Sequence, residues 1–197
     1  MAKITISEFV TLDGVMQDPG GAEKDVFPRG GWAFRFPDDE GGAYKLDELR
    51  AHDALLLGRT TYDGFAQAWP GRTDEAGFAD KFNAMPHYVV TSGDASELTW
   101  GTSIKIDGAG DLAAQIQELR DRDDVGALIV HGSRRLAQFL IANDLVDELR
   151  LMIFPVVLGT GKRLFGDPGE KKSLRLVDSK VVGDGVVILT YAAAPPA

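Results

Sequence analysis

Two short stretches of the chain combine glycine, small hydroxyl residues and arginine in an order suited to holding an anion. One is Leu57-Gly58-Arg59-Thr60-Thr61 and the other is Val130-His131-Gly132-Ser133-Arg134-Arg135. Each follows an apolar run that reads as a strand and precedes a pattern that reads as a helix. The polar residues therefore fall where a helix N-terminus offers unpaired N–H groups. Glycine lets the backbone approach a ligand, arginine can make a charge-assisted fork to phosphate, and hydroxyls add donors. The second stretch also carries a local conflict. Two arginines in the first turn of a helix oppose its dipole, at about 0.3–1 kcal/mol each at an exposed end, and an anion between them would remove that penalty. A plainer reading competes at both places, with Thr60 and Ser133 as N-caps and the arginines solvated.

A third stretch, Pro155 through Arg163, holds Gly159-Thr160-Gly161-Lys162. A lone Gly-x-Gly fits any tight turn, and the full P-loop spacing is missing. No Gly-x-Gly-x-x-Gly follows the first strand, which disfavours a Rossmann dinucleotide domain. His52, His87 and His131 sit in three separate segments without carboxylates at ligand spacing, so no metal site is expected. No Gly-x-Ser-x-Gly elbow exists for a serine nucleophile. Zero cysteines exclude disulfides, thiolate zinc and a cysteine nucleophile. With 21 basic against 30 acidic residues the net charge is −9, which argues against nucleic acid as a partner. Asp38, Asp39 and Glu40 read as a solvated acidic loop, and Trp69 and Trp100 as packing residues. Neither a secretory signal nor an apolar run of membrane-spanning length is visible, so a cytoplasmic, membrane-free protein is expected.

The elements that must position these stretches follow from patterning. Residues 3–10 alternate Ile4, Ile6 and Glu8 against Thr5, Ser7 and Phe9, as a strand does. Residues 11–43 are rich in glycine and too irregular for an ordinary connection. Phe27, Trp32, Phe34 and Phe36 make them an ordered functional loop. A short helix is predicted over 44–52. Buried strands are predicted at 54–57, 87–91 and 127–130, and a shorter one at 103–106. Helices are predicted from about residue 60, over 111–120 and over 134–142, the last two with apolar residues at helical spacing. Strands over 146–157, 174–182 and 186–192 follow, the last two joined by Gly183-Asp184-Gly185 as a hairpin. The tail from Ala192 to Ala197 reads as a frayed end. Strand–helix alternation closed by a hairpin gives one α/β sheet of about seven or eight strands, with no repeat and no linker.

Thr11-Leu12-Asp13-Gly14, Asp53 through Tyr62, Val89-Val90-Thr91-Ser92, Val130-His131-Gly132-Ser133 and Leu145 through Gly161 occur in order over nearly the whole chain. Together they resemble the dihydrofolate reductase-like superfamily. Within it the chain is most similar to the branch of the riboflavin-biosynthesis reductases, which comprises the C-terminal domain of the bifunctional deaminase–reductase and its stand-alone bacterial relatives. The resemblance implies one three-layer α/β domain over 1–197, with a mostly parallel sheet of about eight strands and a C-terminal antiparallel hairpin. It implies NADPH as hydride donor to a small heterocyclic or ribosylaminopyrimidine-like substrate, and a homodimer. Gly58, Arg59, Thr60 and Thr61 would bind the adenosine end, with Arg59 and Thr61 at the 2′-phosphate and Ser92 on the same side. Gly132, Ser133 and Arg134 would cradle the pyrophosphate, and Asp13 would face the substrate as the catalytic residue.

Two departures weigh against dihydrofolate reduction itself. His131-Gly132-Ser133 replaces a glycine pair, and Asp38, Asp39, Glu40, Asp47 and Glu48 lack the surroundings of a pteridine-binding carboxylate. With no zinc-dependent deaminase motif ahead of the reductase-like part, the protein is expected to act alone or after another enzyme. The alternatives are an NADP(H)-binding stress or regulatory protein with little catalysis, a true dihydrofolate reductase, and an unrelated α/β hydrolase that would bind no NADPH.

Overall fold

The computed structural model describes residues 1–22, 26–166 and 171–193. Strand β1 (Ile4–Thr11) leads through a long loop to helix α1 (Asp39–Arg50), and β2 (Ala54–Gly58) runs directly into α2 (Arg59–Ala68). Helix α3 (Phe78–Ala84), β3 (His87–Thr91), β4 (Ser103–Asp107), α4 (Leu112–Asp121) and β5 (Leu128–Val130) follow. The chain closes with α5 (Arg134–Ala142), β6 (Glu148–Phe154), β7 (Leu174–Val182) and β8 (Val186–Ala193). All eight strands share one sheet in the order β4-β3-β2-β5-β1-β6-β8-β7. β4 through β6 in that order run parallel, while β8 pairs antiparallel with β6 and with β7. The eight-stranded, mostly parallel sheet with an antiparallel C-terminal hairpin is thus present.

The central strands are apolar on both faces because each face is covered. Leu56, Leu128, Val130 and Ile6 pack with Leu136 and Leu140 of α5 and Ile116 of α4. Leu55, Leu57 and Ile129 point to the other side, against Tyr62, Phe82 and Trp100. Trp69 also packs there, its ring 4.7 Å from that of Phe82. A third cluster seats the long loop, with Val15, Phe27 and Trp32 buried against Phe154, Val186 and Ile188. The described part of the loop is therefore seated by its aromatics, although Phe34 is 77% exposed and takes no part.

Several boundaries differ from the sequence reading. Helix α1 begins five residues before the predicted start, because Asp38 is its N-cap, accepting from the backbone N–H groups of Glu40 and Gly41. Asp39 and Glu40 then occupy the first turn, where the dipole favours them, so the acidic run is a helix start rather than a solvated loop. Helix α3 was missing from the reading; its apolar contribution is Phe78, Ala79 and Phe82, too short a pattern to show a period. β6 ends at Phe154 ahead of Pro155. Ala192 and Ala193 complete β8, and the rest of the expected frayed tail lies outside the described residues. Among the described residues no helix is long and apolar enough to cross a membrane, and no group of three potential ligands could hold a metal ion.

Candidate functional site

The β2–α2 and β5–α5 turns meet side by side. β2 and β5 are hydrogen-bonded neighbours, and the N–H of Gly58 donates to the carbonyl of Gly132 at 3.3 Å. A Cβ on Gly58 would run into the Ser133 side chain and stand 3.1 Å from its backbone nitrogen. Gly132 has φ +93°, and a Cβ there would meet Thr61 Oγ1 at 2.8 Å. Both glycines are thus required by close approach of backbone to backbone or hydroxyl. The Gly132–Ser133 peptide is cis.

The two helix starts carry no side-chain caps. Helix α2 starts at Arg59 with Gly58 as N-cap, which puts Thr60 inside the first turn rather than at the cap. Ser133 is the N-cap of α5, yet its hydroxyl makes no capping bond. Of the plainer alternative, Thr60 is not a cap, and Ser133 holds the cap position without making the capping bond. Hydroxyls and first-turn N–H groups are left for a ligand.

They open on a cleft of about 520 Å³ at the carboxyl ends of β1, β2 and β5. Its lining brings together Thr60, Thr61, Gly132, Ser133 and Arg134. It adds Glu8, Gln17, Asp18 and Phe65, which the sequence did not single out, together with His131, Arg135 and Lys162 from the stretches that it did. Arg134, Arg135 and Lys162 form no ion pair among the described residues, so three cations face one space in a chain of net charge −9. One signal for Glu8 was present in the sequence. It shares a strand face with Ile4 and Ile6, where an acid has no packing role.

Gly58, Arg59, Ser92 and Asp13 do not line this cleft. Gly58 instead supports it from behind, through Ser133. Arg59 is held by two carboxylates, Nε lying 2.8 Å from Asp63 Oδ1 and Nη1 2.7 Å from Glu97 Oε2. Its guanidinium lies against Gly93, next to Ser92, so Arg59 and that turn share one edge of the site. Asp13 is committed elsewhere. Its carboxylate accepts from Thr11 Oγ1 at 2.6 Å, from the Leu158 N–H at 3.2 Å and from the Gly159 N–H at 2.8 Å. Desolvation pushes this carboxyl upward, but those three donors outweigh it and hold it at about 2. Asp13 is consequently a tether for the 158–159 turn, ionised at neutral pH and without a proton to give.

The floor is electrostatically divided. Burial is the main influence on Glu8 and raises its carboxyl to about 8, against the opposing pull of Lys45 and of the Gly132 N–H. Burial, helped by Lys45, lowers His131 to about 3, so its ring is neutral. Nδ1 of that ring faces the Ser7 carbonyl at 3.0 Å and must therefore carry the hydrogen. Behind them Lys45 donates to Ser7 Oγ at 2.7 Å and pairs with Glu48, whose other oxygen lies 3.4 Å from Arg150 Nη1. Burial opposes the charge on Glu48, yet Lys45 and the Ser7 hydroxyl hold it ionised at about 2. The arrangement can hold an anionic ligand over a protonated acid.

An open parallel sheet with paired helix N-termini at its strand ends and an antiparallel C-terminal hairpin defines a protein of the dihydrofolate reductase-like class. Residues 2–188 match the family model described as the RibD C-terminal domain, and the chain belongs to that family. YyaP of Bacillus subtilis (strain 168) is 28% identical over 197 residues, covering 96% of this chain and 94% of that protein. A protein of Shewanella sp. PV-4 ascribed to riboflavin biosynthesis superposes with a TM-score of 0.70 at 24% identity, covering 99% of this chain and 100% of that one. The diaminohydroxyphosphoribosylaminopyrimidine deaminase/5-amino-6-(5-phosphoribosylamino)uracil reductase of Thermotoga maritima gives 0.64 at 15% identity, covering 98% of this chain and 57% of that one. These likenesses establish the fold.

Proposed function

We propose that the protein is a cytoplasmic NADPH-dependent reductase that passes hydride to a C=N or C=O carbon of a small polar heterocycle, of the ribosylaminopyrimidine kind. The observation that carries this reading is the convergence of two helix starts without side-chain capping bonds, at Thr60–Thr61 and Gly132–Arg134, on one cleft with three cations that form no ion pair among the described residues. That donor set fits a pyrophosphate: N–H groups, hydroxyls and positive charge, with glycine where backbone must come close. Gly132, Ser133 and Arg134 would hold it, while Thr60 and Thr61 with Arg59 and Ser92 would take the adenosine end. When bound, the dinucleotide supplies the hydride; the chain supplies orientation, electrostatics and a water-poor floor. Asp13 contributes by fixing the 158–159 turn to the end of β1, and Gln17 to Pro19 of the long loop close the cleft over the substrate side.

The test is a thermal shift with NADPH, followed by NADPH consumption against pterins, quinones and ribosylaminopyrimidines. Ligand at 100 times Kd should stabilise the fold by about 2.7 kcal/mol, and one acceptor class should be reduced. No shift with NADPH would overturn the reading. A shift with no turnover on any acceptor would favour a binding module.

A further inference from the structure

The floor of the cleft holds a group that dinucleotide binding leaves without a task. Glu8 stands on β1 between Ile6 and Val10, and is itself only 7% exposed. It accepts a hydrogen bond from the Gly132 N–H, yet its Oε1 is buried with no hydrogen-bond partner among the described residues. An unpaired buried oxygen on a strand of isoleucine and valine weakens the fold, and such local conflicts belong to functional sites. The position is shared with His131, Gly132 and Thr61 at the cleft lining, where the two anion-binding turns converge.

Charged and titratable groups from several elements act on Glu8 or line the cleft with it. Lys45 and Glu48 come from α1, His131 from the end of β5, Arg134 and Arg135 from α5, and Asp18 and Lys162 from the flanking loops. Lys45, the strongest candidate to ionise Glu8, is already paired with Glu48 and bonded to Ser7. His131 is neutral. Burial therefore prevails, and Glu8 keeps its proton through neutral pH.

We propose that Glu8 is the proton donor of the reduction, delivering its carboxyl proton to the nitrogen or oxygen of the acceptor while hydride reaches the adjacent carbon. This rests on the reductase reading above. In the step the acceptor C=N or C=O gains a hydride and a proton, two electrons in all, and the dihydronicotinamide is oxidised to nicotinamide. The Glu8 O–H breaks, and the resulting carboxylate is reprotonated from water in the open cleft.

The experiment compares the wild type with Glu8→Gln, which keeps size and hydrogen bonding but has no acidic proton. A carboxyl-carbon NMR titration, which needs neither cofactor nor acceptor, should show one glutamate still protonated at pH 7 in the wild type and absent from the variant. With NADPH as probe, the variant should bind within about threefold of the wild type and lose roughly 10²–10⁴ in turnover on the acceptor that the panel identifies. Wild-type turnover should fall as pH rises through the Glu8 titration. An ionised Glu8 at pH 7, or wild-type turnover in Glu8→Gln, overturns the donor role and leaves the reductase reading standing. Failure of the wild type to bind NADPH or to reduce any acceptor overturns both.

Discussion

Arg59 grips Asp63 and Glu97 together, so a phosphate arriving at that edge must compete with two carboxylates. If Arg59 meets a 2′-phosphate, Arg59→Ala should weaken NADPH far more than NADH, and Glu97→Gln should tighten NADPH. Exposed pairs of this kind are worth about 0.2–1 kcal/mol, so the gain should be roughly 1.5- to 5-fold. Calorimetric titration of both cofactors on both variants checks this, and equal changes for NADPH and NADH would count against a 2′-phosphate there. Asp13 allows a second prediction. Its carboxyl sits at about 2 in the fold against 3.8 for an ordinary aspartate, so its charge stabilises the native state above about pH 4 and ceases to as pH falls toward 2. Asp13→Asn should therefore lower urea stability at pH 7, and the gap from wild type should narrow below pH 4. A gap that persists unchanged at pH 2 would mean that the charge of Asp13 does not anchor Leu158 and Gly159.

At the scale of elements, the start of α5 separates a ligand site from an ordinary cap. A capping serine replaced by alanine costs about 1 kcal/mol of stability. Ser133 makes no capping bond, so Ser133→Ala should cost well under that in a denaturant titration while weakening NADPH severalfold. A full capping loss with unchanged affinity would reverse the assignment. β7 is the other element with something left open. It is an edge strand exposed along nearly its whole length, with Leu176 at 49%, Val177 at 50% and Val181 at 64%, so apolar residues stand free on both its faces. Such an edge leaves backbone groups open to pairing with another strand, and the charged side chains of Arg175, Asp178 and Lys180, the last 3.9 Å from Glu40, interrupt its apolar residues.

Much of this was legible in the sequence because it is local. Buried strands announce themselves as apolar runs, and Gly183-Asp184-Gly185 dictates a turn from its own residues. The glycine–hydroxyl–arginine stretches mark the two turns. What was illegible depends on distance in the chain. Nothing near Asp13 says that Leu158 and Gly159 will occupy its carboxylate, and nothing near Arg59 says that Glu97 will pair with it. Glu8 was visible only as an acid on an apolar strand face; its meaning comes from Gly132, which β5 brings alongside.

Across the whole molecule, a chain of net charge −9 carries a cleft lined by three cations that form no ion pair among the described residues, so the cleft can attract an anionic ligand that the net charge would repel. The same contrast leaves a mark on stability. Glu8 keeps its proton in the fold to about pH 8, whereas in the unfolded chain an ordinary glutamate carboxyl titrates at 4.5. Between those values the native state binds a proton that the unfolded state has lost, so stability is full below about pH 4.5, declines as pH rises and levels off above about 8. At pH 7 the loss from this one group is on the order of 3 kcal/mol, a large share of a typical folding free energy. Glu8→Gln does not titrate and should escape the decline. Urea denaturation of both proteins from pH 5 to pH 8 should show the variant gaining steadily on the wild type. A constant difference across that range would mean that the carboxyl ionises as freely inside the fold as outside it, and the floor of the cleft would then hold a charge rather than a proton.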